Sequence, residues 1–153
     1  MSSVRFKNFI ALGILLAFST FITAQVQKKP SSKPVLSQTE MKESMERGQK
    51  LYVQRCMACH QEDGSGVPRL NPPLIKTTYV LGSKSRLINI ILNGLDEEIE
   101  IDGEFYSNPM PPFGSLMKDQ EIADVLTYVR NSFQNKASAV TAEEVKKLRA
   151  GTK

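Results

Sequence analysis

Five consecutive residues, Cys56-Met57-Ala58-Cys59-His60, constrain this chain more than any other stretch. Spelled C-x-x-C-H, they match the pattern for covalent attachment of a c-type haem. Residues three and four apart on a helix share a face, so Cys56, Cys59 and His60 can point the same way. Two thiols then reach the two vinyl groups of one porphyrin, and the adjacent imidazole reaches the iron. The 153-residue chain has no other cysteine and no other histidine, so rival uses of these residues run short of partners. A zinc site would need a fourth ligand beyond two thiolates and one imidazole. A thioredoxin-like thiol enzyme would set its Cys-x-x-Cys beside a βαβ pattern, which this mostly helical chain lacks. A core histidine without a metal would leave the paired cysteines unexplained.

Residues 1–24 read as a secretory signal. Arg5 and Lys7 precede an apolar run from Phe9 to Ile22, and Thr23-Ala24 ends it at a small-residue cleavage site. That run is short against the roughly 20 residues of a membrane span, so cleavage after Ala24 and release to the periplasm is the expectation. An uncleaved membrane anchor is the alternative. Export also bears on the cysteines, which in an oxidising compartment would ordinarily pair. A bridge from Cys56 to Cys59 would close a very small, strained loop, and haem attachment is the better use of both thiols.

The overall charge of +4 and the pI of about 9.1 conceal an uneven distribution. Residues 37–134 carry 10 basic and 14 acidic side chains, whereas residues 25–36 and 135–153 are each net basic by three. An acidic core with basic tails is no nucleic-acid-binding face.

Four segments follow in order: a signal at 1–24, a linker at 25–36, a haem domain at 37–134 and a polar basic tail at 135–153. The linker, with three lysines and two prolines, has no apolar period. Ser37 and Glu40 spell a capping box, and Met41, Met45, Gly48, Leu51 and Tyr52 recur at helical spacing. Gly48 inside that helix implies a close helix approach, since glycine there costs about 1 kcal/mol against alanine. Gln61 to Gly66 is a turn, lacking the alternating carboxylates of a calcium loop. Ser83 caps a helix carrying Leu87, Ile88, Ile91, Leu92 and Leu95, with Gly94 near its end. Residues 98–105 alternate about Asp102-Gly103, a hairpin signal that turns Ile99, Ile101 and Phe105 inward. The acids from Asp96 to Glu104 do not make an EF-hand, because Pro109 stands where its last glutamate belongs; they are a solvated face. Asn108-Pro109-Met110-Pro111-Pro112-Phe113-Gly114 is a stiff loop holding a methionine among prolines. A last core helix spans about Asp119 to Phe133, and the tail forms a short, weakly docked helix beginning near Thr141.

On Cys56-Met57-Ala58-Cys59-His60 and Met110-Pro111-Pro112-Phe113, the chain resembles the class I, monohaem c-type cytochromes over about residues 40–134. The Met110 loop, the stretch from Glu121 to Ser132 and the start of the tail are similar to a bacterial subgroup. Those domains occur with quinoprotein dehydrogenases, oxidases and copper nitrite reductases. Lys118 departs from their usual helix-capping Ser or Thr. The resemblance implies an all-α cytochrome c fold, with N- and C-terminal helices packed around a covalent haem and a small β-hairpin. It implies Cys56 and Cys59 as attachment sites, His60 and Met110 as axial iron ligands, and a Pro72 carbonyl orienting the imidazole, with Pro73 as the fallback. Methionine is also a common core filler, so Met117 and Met57 are Met110's rivals. The implied function is a periplasmic carrier of single electrons, not an enzyme, standing alone or as an oxidoreductase subunit. Its partners would be redox proteins, a dehydrogenase or an oxidase, presenting a basic or apolar patch to the acidic core. Membrane contact would come only through an uncleaved signal or the basic tails. The alternative function is a peroxidase-like or gas-binding haem protein, should Met110 be labile.

Overall fold

The computed structural model describes residues 36–151, so the expected signal and nearly all of the expected linker lie outside the described residues. Six helices and one hairpin follow in order: α1 Gln38–Arg55, α2 Met57–His60, α3 Thr78–Leu81, α4 Lys84–Asn93, β1 Ile99–Ile101, β2 Glu104–Tyr106, α5 Asp119–Asn131 and α6 Ala142–Gly151. The arrangement is the expected one, helices throughout with one small antiparallel hairpin. No helix among the described residues is long and apolar enough to cross a membrane.

The first helix begins where its sequence says it should. The Ser37 side chain accepts the Glu40 N–H at 3.3 Å, and the Glu40 carboxylate accepts the Ser37 N–H at 2.8 Å. Its most buried positions are Ser44, Gly48 and Tyr52, while Met41 and Met45 are only half-buried. Small residues win this face because α5 crosses against it. A Cβ on Gly48 would lie 2.2 Å from the Asp124 carbonyl oxygen and 2.7 Å from Tyr128 Cβ. The Asp124 side chain, 1% exposed, fills the crossing and accepts from Ser44 Oγ at 2.7 Å, Arg47 Nε at 2.7 Å and Gln120 Nε2 at 2.9 Å. A buried carboxylate is tolerated only when its charge and lone pairs are met in this way.

Three expectations need correction. The hairpin turns through Asp102 (φ 53°) and Gly103 (φ 85°), a two-residue loop of the kind that favours positive φ at both positions. That loop length pairs Ile99 with Tyr106 and Glu100 with Phe105. Alternation therefore puts Ile99, Ile101 and Tyr106 on the inner face, and Phe105 is 53% exposed. The second correction is the end of α5, at Asn131 and not Phe133. Phe133 takes φ 53° and sets its ring 5.1 Å from Tyr52 and 5.7 Å from Tyr128.

The third concerns the tail, which is not weakly docked. Val140 and Val145 are fully buried in the main core cluster. Thr127 Oγ1 pairs with both the N–H and the carbonyl of Val140, and Lys84 Nζ meets the Glu144 carboxylate at 2.9 Å. Two valines among charged neighbours give little helical signal, yet they suffice to seat α6 on α4 and α5.

The crossing at Gly48 generates a test. Alanine is the better helix former by about 1 kcal/mol, so at an open helical position Gly48→Ala would stabilise. Here overpacking against α5 should dominate, with a net loss of about 1 to 3 kcal/mol in denaturant unfolding. A gain would mean that the two helices do not meet at this point.

Candidate functional site

The site starts at the joint between α1 and α2. The Cys56 N–H donates to Tyr52 O at 2.8 Å, closing α1, and the N–H groups of Cys59 and His60 donate back to Cys56 O at 3.1 and 2.9 Å. One helical turn thus carries all three motif side chains, and all three line the same cavity. Cys56 and His60 are half-buried and Cys59 is exposed at the edge.

The loop after His60 is cinched by backbone bonds. Gly66 N–H donates to His60 O at 3.1 Å, Leu74 N–H to Gly64 O at 2.8 Å, and Val67 bridges Asn71. It returns Pro72 to the imidazole, where His60 Nδ1 lies 2.9 Å from Pro72 O. A carbonyl can only accept, so Nδ1 carries the proton and Nε2 is left with its lone pair free. Pro73 helps set this carbonyl, because a residue before proline is held extended. Burial lowers the His60 pKa, with the Pro72 hydrogen bond opposing it, and so favours the neutral imidazole that can bind a metal. Burial, and next the neighbouring Cys59, push the Cys56 thiol up to about 11. A thiol so raised is a poor nucleophile for disulfide exchange.

Met110 approaches on the loop between β2 and α5. Prolines 109, 111 and 112 lack N–H groups, so Met110 carries the loop's one donor over that stretch, and it pairs with Leu95 O at 2.8 Å. Leu95 N–H returns a bond to Met110 O at 3.0 Å, and Phe113 N–H and Gly114 N–H cap carbonyls of Ile91 and Leu92. Gly94 makes the clamp possible: at φ 79°, any Cβ would lie 2.6 Å from Met110 O. Met110 lines the cavity, whereas Met117 is buried in the core and Met57 packs beside it, neither on the cavity wall.

Between these two arms lies a largely apolar slot that opens to solvent. Leu87, Ile91, Leu126 and Val129 from α4 and α5 form its floor, and Ile99, Ile101 and Tyr106 of the hairpin form a side. An apolar slot, two thiols, one free imidazole nitrogen and one thioether fit a covalently attached haem. Residues that the sequence did not flag support this wall. Tyr52 Oη donates to Gln61 O at 2.6 Å, and Gly66 lies against Pro72. Glycine at 64 and 66 hinted at a turn, but its close approach to the Pro72 carbonyl depends on contacts far apart in sequence.

Comparison with known proteins agrees with this geometry. The Cytochrome c family matches residues 45–133. The chain is 39% identical over 112 residues to "Cytochrome c-552" of Thermus thermophilus, covering 67% of this chain and 84% of that one. It is 36% identical over 106 residues to the cytochrome c subunit of a quinone alcohol dehydrogenase of Gluconacetobacter polyoxogenes, covering 67% and 22% respectively. It is 37% identical over 105 residues to the gluconate 2-dehydrogenase cytochrome c subunit of Pantoea cypripedii, covering 67% and 24%.

Gly66 provides the test of the imidazole's support. Alanine there must hold φ 68° with its Cβ 2.3 Å from Asn71 O and 2.7 Å from Pro72 O, while at Gly103 (φ 85°) nothing lies within 4 Å. Gly103→Ala should lose only the left-handed backbone penalty of about 1 to 2 kcal/mol. Gly66→Ala adds an overpacking cost of about 1 to 3 kcal/mol. Equal losses in denaturant unfolding would show that the loop does not press on the Asn71–Pro72 backbone.

Proposed function

The chain belongs to the cytochrome c family, and from that premise we propose that it is a periplasmic carrier passing single electrons from a dehydrogenase to a terminal acceptor. Members of the family carry electrons and hold haem c covalently. The observation that carries the reading is that Cys56, Cys59 and His60 at the α1–α2 joint and Met110 in the loop after β2 line one apolar cavity.

In this reading Cys56 and Cys59 would hold the haem through two thioether bonds. His60 Nε2 would bind its iron, the ring orientation fixed through Nδ1 by Pro72. Met110 Sδ would be the second iron ligand, held by the Leu95 clamp. The haem would supply a one-electron change there. Two neutral ligands and an apolar lining favour the less charged, reduced state and raise the potential. The side chains of α4, α5 and the hairpin exclude water, and rigid ligand arms keep the structural change between the two charge states small.

The dehydrogenase partner is proposed from relatives whose names mark them as dehydrogenase cytochrome subunits, of which this chain spans under a quarter of the length. The periplasmic site is proposed from residues 1–24. The acidic surface of residues 37–134 favours a partner with a basic or apolar patch, charge complementarity raising the rate of encounter.

Spectra of the mature protein made with haem-attachment machinery test the site. The wild type should be low-spin and six-coordinate, and Met110→Ala should be high-spin and bind carbon monoxide readily. Cys56→Ser/Cys59→Ser should lose covalent haem under denaturing electrophoresis. An unchanged spectrum on Met110→Ala would reject the axial assignment, and retained covalent haem in the double variant would reject the attachment.

A further inference from the structure

The Met110 loop is held from two sides, and only one of them is α4. Beyond Gly114 the chain turns through Leu116 and Met117, whose N–H groups both donate to Phe113 O at 3.0 Å, and then enters α5 at Asp119. Across this turn lies Arg149, near the far end of α6. Its Nη1 donates to Gly114 O, its Nη2 to Met117 O at 2.9 Å, and its Nε to the Asp119 carboxylate at 2.6 Å. The guanidinium therefore ties together three points of the segment that follows Met110.

The position of Arg149 is imposed by α6 itself. Val145, fully buried, stands four residues before it on the same helical face. Thr141 and Glu144 form a reciprocal cap at the start of the helix, at 2.9 and 3.3 Å, and Glu144 is tied to Lys84. Arginine suits this site because its planar fork meets several acceptors at once, which a lysine ammonium cannot do in the same geometry. The two carbonyls are also better satisfied by a fixed cation than by exchanging water.

We propose that Arg149 is a positioning residue for Met110: by gripping Gly114, Met117 and Asp119 it holds the methionine segment closed over the cavity and sets how readily Met110 leaves the iron. The proposal rests on the reading of Met110 as an axial ligand. It gives the C-terminal helix a role in ligand retention that α4 alone does not fill, since the α4 bonds end at Gly114.

The test is the rate at which carbon monoxide binds the reduced full holoprotein, which in the wild type is limited by departure of Met110. Arg149→Ala should bind at least about tenfold faster, the lower end of what one hydrogen bond to a charged group is worth, and Arg149→Lys should fall between it and the wild type. Lys84→Ala removes the other polar tether of α6 without touching the methionine segment, and should keep the wild-type rate. Met110→Ala is the reference for a free position. If Met110→Ala binds no faster than wild type, the axial reading fails. If it does bind faster but Arg149→Ala keeps the wild-type rate, or Lys84→Ala accelerates binding as much, the clamp is overturned. Should Arg149→Ala not fold, Arg149→Lys decides alone: acceleration supports the clamp and a wild-type rate rejects it.

Discussion

The crossing of α1 on α5 is the constraint on which the rest depends. Gly48 lets the two backbones touch, and the buried Asp124 carboxylate fixes their register through Ser44 and Arg47. Such a carboxylate adds little net stability when paired, yet stripping its partners costs several kcal/mol, about 3 to 5 in comparable cases. It acts as a register pin more than as a glue. With that register set, α1 ends at Arg55 and delivers Cys56, and α5 presents Val125, Leu126 and Val129 to the cavity. The Tyr52, Tyr128 and Phe133 rings close the same crossing from the loop side, where Gly64 leaves room for Phe133.

From this frame the His60 and Met110 arms are built by different means. The His60 arm is local: twelve residues separate His60 from Pro72, and short loop bonds join them. The Met110 arm is non-local and borrows its rigidity from prolines, which remove backbone freedom before folding begins, and from α4, which supplies carbonyls at its C-terminal end. Gly66 and Gly94 serve the two arms alike. Each sits at positive φ with a carbonyl of the opposing strand where a Cβ would be. The hairpin then lays Ile99, Ile101 and Tyr106 over the cavity side, leaving its acids in solvent.

Much of this was legible in the residues. The Ser37–Glu40 capping box, the apolar spacing of α4 and the C-x-x-C-H turn are local signals, and local chemistry decides them. The family resemblance pointed to Pro72 as the partner of His60, and the structure has that bond. Failures arose where long-range contacts decide the outcome. Ser44 outranks Met41 and Met45 in burial because a partner 80 residues away receives its hydroxyl. Phe105 faces solvent because a two-residue turn reverses the parity that strict alternation implies. The tail reads as polar, yet Val140 and Val145 seat it in the core and Arg149 reaches back to Gly114. Nothing near Arg149 in the sequence announces that contact.

The central claim is that two protein ligands close the haem and leave it only an electron to exchange. Voltammetry of the mature holoprotein, recorded with and without hydrogen peroxide, tests it most directly. The account predicts a single reversible one-electron wave that peroxide does not turn catalytic. A catalytic current with peroxide would contradict it and point to an open haem enzyme.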